Sequence, residues 1–252
     1  SSDLLSLPYG CRDGVCGNCR GKVLAGEVVH GKASPEILSE ADRLAGFALF
    51  CCAMAKSDLC IESREVRTLD DLPIRTLPAR VHRLIRVAPQ VMILELKLPA
   101  NERLQFLAGQ YVDILLKDAK RRSFSLANPP HDDSVLQLHV RHVPGGQFTE
   151  HVFQHMRERD LLRLRGPLGT FFLREDSRKP MLLVAGGTGF APIKAIVEHA
   201  IAEGSDRAMA IYWGARCRAD LYLLQLAEQW PARHPNIRFI PVLSGSPAEE
   251  HW

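Results

Sequence analysis

Runs of branched apolar residues alternate with polar and glycine-rich breaks along the chain, and the period of that alternation changes from one stretch to the next. Between about residues 78 and 176 the runs are short. Segments 79–87, 91–98, 111–116 and 123–127 are rich in aliphatic and β-branched side chains and are separated by Pro, Gly, Asn and Asp, the texture of strands and their turns. Over 135–143 the alternation is strict: Leu136, Leu138 and Val140 point one way and Gln137, His139 and Arg141 the other, which predicts a strand with one buried face. With one helical pattern at 147–156, these strands predict a small antiparallel barrel. From residue 180 an apolar strand (181–185) runs into Gly186-Gly187-Thr188-Gly189, then a helix (191–202), a strand (209–213), a helix (219–230) and a strand (237–243). Alternating strands and helices predict a parallel sheet, here about half of a doubly wound domain.

The first 66 residues have neither period. They hold six of the seven cysteines (positions 11, 16, 19, 51, 52 and 60, with Cys217 apart), and a Pro- and Asp-containing stretch over 70–78 reads as a linker. An odd, clustered set in a chain of 252 residues is not a disulfide framework; it points to a metal or redox site in a reducing, cytoplasmic setting. The formal net charge of +3, with basic and acidic residues interspersed, excludes a nucleic-acid footprint. No apolar run reaches the roughly 18 residues that would span a bilayer.

Cys11-x4-Cys16-x2-Cys19, with Cys51 a further 32 positions on, has the plant-type spacing of a two-iron two-sulfur (2Fe-2S) cluster. Gly10, Gly14 and Gly17 let backbone N–H groups approach the sulfurs. A structural zinc site would also take four thiolates, but zinc ribbons usually carry two Cys-x2-Cys pairs and this chain has one. The adjacent Cys51 and Cys52 compete for the fourth position, and whichever loses is expected, like Cys60 and Cys217, to be a buried small residue. Further along, Arg122 offers a permanently charged fork for a phosphate, Phe124 a flat face for a ring system and Ser125 a hydroxyl. Gly145 and Gly146 open a helical pattern whose N-terminus, with Thr149, suits a pyrophosphate, and the 186–189 loop follows a strand and opens a helix as a dinucleotide loop does.

Four of these motifs resemble one family. The segment from Leu7 to Cys19 is similar to the cluster loop of reductases that feed oxygenases and deoxysugar enzymes. Arg122-Ser123-Phe124-Ser125 and Pro144-Gly145-Gly146-Gln147-Phe148-Thr149 resemble the two flavin motifs of the ferredoxin-NADP reductase superfamily, and Gly187-Thr188-Gly189-Phe190-Ala191-Pro192 its nicotinamide loop. Within it the chain is most similar to the CDP-6-deoxy-delta-3,4-glucoseen reductase group and to ring-hydroxylating oxygenase reductases. The resemblance implies a multidomain α+β chain: a partial β-grasp 2Fe-2S ferredoxin-like domain at 1–68 lacking its N-terminal strands, a six-stranded antiparallel FAD-binding β-barrel at 76–176, and a partial Rossmann-like α/β NAD(P)-binding domain at 177–252. It also implies further segments at both ends, so the chain reads as truncated. In the family's ferredoxins the last cysteine precedes a Ser-Asp pair by six residues, and Ser57-Asp58 thereby selects Cys51.

The implied activity is a relay from NAD(P)H through FAD to the 2Fe-2S cluster and on to a protein acceptor, an oxygenase or a deoxysugar dehydrase, with no membrane and no nucleic acid as partner. The implied cluster ligands are Cys11, Cys16, Cys19 and Cys51. Arg122, Ser123, Phe124, Ser125, Gly145, Gly146 and Thr149 would hold FAD, with Ser125 at the reacting edge of the flavin. Phe124 stands where the family has Tyr. Gly187, Thr188, Gly189 and Pro192 would hold the nicotinamide nucleotide, with Arg216 and Arg218 suited to a 2′-phosphate and Asp220 to a free ribose; the family favours NADH and leaves NADPH possible. Arg12, Asp13 and Asn18 border the cluster loop as a partner surface. The rival readings are a truncated, inactive cofactor-binding remnant and a flavin-dependent regulatory module.

Overall fold

The computed structural model describes residues 5–9, 11, 13–63, 67–68, 72–117 and 120–245. Gly10, Arg12, and Asp70 and Asp71 of the linker lie outside them. The chain divides into two compact units, residues 1–73 with 169–171, and 74–168 with 172–252.

The first unit is built from short elements: β1 (Leu5–Ser6), β2 (Arg20–Ala25), β3 (Val28–Val29), α1 (Glu40–Leu44), β4 (Phe47–Leu49), β5 (Met54–Ala55), β6 (Cys60–Glu62) and β7 (Arg67–Thr68). An antiparallel sheet of order β4-β2-β6 forms its centre, flanked by the pairs β3-β5 and β1-β7. Gly21, in β2, is required by close approach: a Cβ there would stand 2.3 Å from the Phe50 ring and 2.6 Å from the Glu62 carbonyl oxygen. The bare backbone lets Phe50 lie across the sheet and so fixes the turn that carries Cys51. At the start of α1 the Ser39 side chain accepts the Asp42 N–H while Asp42 accepts the Ser39 N–H, a reciprocal capping box that stabilises an otherwise short helix.

The second unit begins with six antiparallel strands, β8 (Arg75–Ala88), β9 (Val91–Lys97), β10 (Tyr111–Leu115), β11 (Arg121–Ser125), β12 (Leu136–Arg141) and β13 (Leu161–Leu168), with α2 (Gln147–Gln154) between the last two. Their order is β11-β10-β13-β8-β9-β12. The outer strands meet through a bridge between Leu126 and Leu138 and a 2.8 Å bond from the Ala127 N–H to the Gln137 carbonyl, which closes the sheet around its core. Leu94, Leu96, Ile114, Leu126, Leu136, Leu138 and Leu164 are fully buried inside it. Six strands were expected, yet β13 is absent from the runs read in the sequence. Arg163 and Arg165 break up its leucines and Gly166-Pro167 follows, so its apolar content looks like a loop until both neighbours are in place.

The parallel part follows as β14 (Met181–Gly186), α3 (Phe190–Ala202), β15 (Met209–Ala215), α4 (Leu224–Arg233) and β16 (Ile237–Leu243), in the order β14-β15-β16. One face of this sheet buries Leu183, Ala185, Ile211 and Trp213, packed with Phe190, Ile193, Val197 and Ala227 of the helices. On the other, Leu182 (69% exposed) and Val184 (68%) stand in solvent with Tyr212 and Val242, although parallel sheets normally cover both faces. α4 starts later than the predicted 219 because Leu221 and Tyr222 turn into the core, and only a short 3-10 turn forms over Arg218–Asp220. Among the described residues no helix is long and apolar enough to cross a membrane.

Candidate functional site

In the first unit, residues 11–19 form a loop wound around sulfur. Gly14 and Gly17 both take φ +73°, and a Cβ on Gly14 would press within 3.0 Å of the Lys32 carbonyl and 3.2 Å of the Cys52 sulfur. The N–H of Cys11 donates to Cys16 Sγ (3.4 Å) and that of Asp13 to Cys11 Sγ (3.3 Å). Burial pulls the Cys11 thiol upward, but the N–H groups of Asp13, Val15 and Cys16 aimed at it bring it below its ordinary range. Such donors stabilise thiolate, the form that binds iron. Cys19 is buried; burial first, then the adjoining Cys51 sulfur, push its thiol up to about 12. Cys16 and Cys51 both act on Cys19, so the sulfurs of the loop and of Cys51 lie close together, as a shared cluster would need.

Cys52 donates its thiol to the Leu49 carbonyl at 3.6 Å. The expectation that the remaining cysteines are buried fails: Cys60 is exposed on β6, and Cys52 and Cys217 are half-buried. β6 is a short outer strand with solvent on one side of Cys60, and Cys217 lies in the cleft described below.

In the second unit the Arg122–Ser125 motif occupies β11, where it pairs with β10 in the register Tyr111 to Ser125 and Asp113 to Ser123. Arg122 is exposed, and its guanidinium donates to the Arg121 carbonyl at 2.8 Å. The Ser123 hydroxyl donates to the buried Asp113 carboxylate at 2.6 Å, so it ties β11 to β10. The half-buried Phe124 packs on Phe148 of α2, centroids 5.4 Å apart. Among the described residues none hydrogen-bonds the Ser125 side chain, which leaves its hydroxyl available to a ligand.

The Gly145–Thr149 loop is already dense with bonds. The Gly146 N–H donates to the Val143 carbonyl (2.9 Å), the Gly145 N–H to Glu150 Oε1 (2.8 Å), and the Thr149 hydroxyl accepts the Val143 N–H (3.1 Å). These contacts shape the turn, so the donors left for an anion are the first N–H groups of α2, which have no intrahelical partner. An exposed guanidinium, an aromatic face, an unengaged hydroxyl and a helix N-terminus together fit a flavin dinucleotide.

The 186–189 loop forms one wall of a cleft of about 530 Å³, also lined by Arg141, Arg216, Cys217, Asp220, Tyr222 and Ser244. Here glycine gives room: a Cβ on Gly186 or Gly189 would meet no atom within 4 Å, and one on Gly187 (φ +50°) would meet only the Arg141 guanidinium, at 3.9 Å. Thr188 lines this cleft, while Pro192 sits in the first turn of α3, where its missing N–H costs nothing. Arg218 is not a lining residue; its guanidinium lies 3.7 Å from Glu228. Arg141 is the residue that the sequence reading missed. Its one signal was its place on the polar face of β12, which here turns toward the glycine loop. The open glycine floor and the cationic rim fit a dinucleotide.

The chain matches the models of the 2Fe-2S iron-sulfur cluster binding domain over residues 2–56, the oxidoreductase FAD-binding domain over 78–173 and the oxidoreductase NAD-binding domain over 183–252. It is 39% identical to the CDP-6-deoxy-L-threo-D-glycero-4-hexulose-3-dehydrase reductase of Yersinia pseudotuberculosis, covering 96% of this chain and 72% of that protein. It is 38% identical to reductase component 1 of the terephthalate 1,2-dioxygenase of a Comamonas species, covering 98% and 74%. Among solved structures, the Amycolatopsis cytochrome P450 reductase GcoB superposes with a TM-score of 0.76 at 39% identity, covering 98% of this chain and 75% of that one. The chain belongs to the ferredoxin reductase superfamily, in the branch that joins 2Fe-2S, FAD-binding and NAD-binding domains. It is an NAD(P)H-dependent flavin and iron-sulfur oxidoreductase that works in electron transfer, with a 2Fe-2S cluster, FAD and NAD(P)H as its cofactors.

Proposed function

We propose that this chain draws its electrons from NADH and delivers them to an oxygenase or a sugar-nucleotide dehydrase, the kinds of acceptor that its relatives' names print. The observation that carries the reading is that one chain holds a thiolate loop with N–H groups turned on sulfur, a flavin strand with an unengaged hydroxyl, and an open glycine cleft, in the order a relay needs. The difficult chemistry belongs to the cofactors, which convert a two-electron hydride into single electrons; the side chains bind and orient.

In this reading Cys11, Cys16, Cys19 and Cys51 would hold the 2Fe-2S cluster. Arg122 and the first N–H groups of α2 would neutralise flavin phosphates, Phe124 would cover the ring system, and the Ser125 hydroxyl would serve the flavin's reacting edge. The backbone of Gly187, Thr188 and Gly189 receives the nucleotide under Arg141. Asp220, on the cleft wall, favours a ribose hydroxyl over a phosphate, and the engagement of Arg218 with Glu228 supports NADH. The domain limits that go with these roles are 1–68, 76–176 and 177–252. The odd, clustered set of cysteines, four of them iron ligands in this reading, supports a cytoplasmic location.

The test is the visible absorption spectrum of the anaerobically purified chain before and after adding NADH. Flavin and iron-sulfur bands that bleach would establish the relay in this chain. Bands that persist would favour the inert cofactor-binding alternative, and the absence of both sets would overturn the assignment of the sites.

A further inference from the structure

In the wall of the nucleotide cleft, where Tyr222 lines it, lies a buried polar contact that the relay does not use. His139, on β12, is 4% exposed, and its Nδ1 lies 2.8 Å from the hydroxyl of Tyr222, in the segment that precedes α4. Burial, and next the Lys194 ammonium, push His139 down to about 3, and burial pushes the Tyr222 phenol upward, so both groups are neutral at working pH. Gln137 Oε1 lies 3.4 Å from Nε2. That puts the ring hydrogen on Nε2 and leaves Nδ1 to accept from the phenol.

Tyr222 does not end the chain of contacts. Its ring meets the Trp213 ring edge-on, centroids 5.2 Å apart at 88°, and Trp213 lies flat on Phe190, the first residue of α3, at 3.7 Å and 4°. The Trp213 indole Nε1–H then donates to the carbonyl of Gly187 at 3.0 Å. A continuous path of fixed geometry therefore runs from the barrel strand that carries Arg141 to the glycine loop that faces Arg141 across the cleft. Each contact in it has a definite direction, unlike aliphatic packing, which slides.

We propose that His139, Tyr222 and Trp213 form a strut that sets the Gly186–Gly189 loop at a fixed height over the flavin barrel, and that His139 and Tyr222 are positioning residues for nicotinamide binding. This rests on the cleft's being the nucleotide site. Hydride transfer is steeply sensitive to placement, and a displacement of about 1 Å can cost a hundredfold in rate. The strut supplies that accuracy without touching the nucleotide's reacting atoms.

Tyr222→Phe keeps the ring and its packing and removes only the hydroxyl, leaving His139 with a buried unpaired acceptor. In the flavin-loaded variant we expect amide hydrogen exchange over residues 186–189 to rise about tenfold in the absence of nucleotide, and NAD⁺ to bind about tenfold more weakly, with FAD and iron content unchanged. A merely structural role would lower the melting temperature without singling out this loop. Should Tyr222→Phe fail to fold, His139→Gln, with an acceptor of different reach, must show the same loop-selective exchange. Exchange within twofold of the parent at 186–189 in a folded variant would overturn the strut. If the parent itself binds no NAD⁺, the nucleotide reading fails, while the exchange comparison still decides whether the strut holds the loop.

Discussion

The two units bury different kinds of interior. The barrel encloses a continuous aliphatic core in which Leu94, Leu96, Leu126 and Leu138 are inaccessible to water. The cysteine-rich unit centres on Cys19, Ala33, Leu38 and Leu49, with Cys51 and Cys52 packed against them, so two of the thiols that would hold a cluster, those of Cys19 and Cys51, belong to the core, while Cys16 is exposed. One unit is organised by hydrocarbon and would keep its shape empty. The other turns the N–H groups of its cysteine loop onto sulfur, so metal binding is expected to be coupled to folding there.

The largest test of that contrast removes a ligand. Cys51→Ala should abolish the 2Fe-2S absorption and the bound iron and unfold the cysteine-rich unit, while flavin content and the barrel's melting transition persist. Cys52→Ser should keep the cluster, because its thiol is turned to the Leu49 carbonyl. Iron analysis, visible spectra and calorimetry of the two variants decide the matter; equal loss in both would shift the fourth ligand or remove the distinction. Next in size, Leu138→Ala in the barrel should cost about 2–5 kcal/mol, the range for a large cavity in a packed core. It should lower the flavin unit's transition and spare the iron. A common shift of both transitions would mean that the units do not unfold independently.

The units also differ in how much of them could be read in advance. Cys11, Cys16 and Cys19 are local, separated by a few residues, so their spacing could be read directly; Cys51, 32 positions on and next to Cys52, was selected only by the resemblance. The barrel's β12 was legible for Leu136, Leu138 and Val140 but not for its other face. The alternation sends His139 to solvent, yet Tyr222, 83 residues away in sequence, covers it. Likewise Gly145, Gly146 and Thr149 had the composition of an anion loop, but which N–H groups are already used depends on Val143 and Glu150 as they lie in space. β13 was hidden for the same reason, since Arg163 and Arg165 make sense as strand residues only beside β8 and β10. Where neighbours in sequence make the site, the sequence speaks; where a distant segment supplies the partner, it does not.

Acid should separate the units further. A histidine has an ordinary value of 6.5, and His139 in the folded unit lies at about 3. Between those values the unfolded chain binds a proton that the folded one refuses, so stability rises with pH through that window and is fully present above 6.5. The slope is at most about 1.4 kcal/mol per pH unit for one such group. Denaturant melts of the barrel unit from pH 7 to pH 5 should show this decline, and His139→Gln should flatten it. An unchanged slope in the variant would assign the acid sensitivity elsewhere. In the cysteine-rich unit, Asp42 is held below its ordinary value by the Ser39 side chain and backbone and by Arg20, so its contribution persists down to the carboxylate range.

The smallest effect concerns the rim of the cluster loop. Lys32 and Asp13 form an ion pair at 2.8 Å, both side chains more than 60% exposed, with Val15 and Asn18 exposed beside them; Arg12 lies outside the described residues. Asp13 raises the Lys32 ammonium further above its ordinary value, so the cation is present at any working pH. A pair so open to water contributes little to stability, but charges at the edge of an electron-transfer surface steer the encounter with a partner. Lys32→Glu should slow reduction of a protein acceptor several-fold at low salt, and the difference should shrink as salt screens the field. Reduction of the flavin by NADH should be untouched, because that step takes place in the other unit. Stopped-flow traces at two wavelengths separate the steps, and an equal slowing of both would mean that the substitution disturbs the cluster loop itself rather than the approach of a partner.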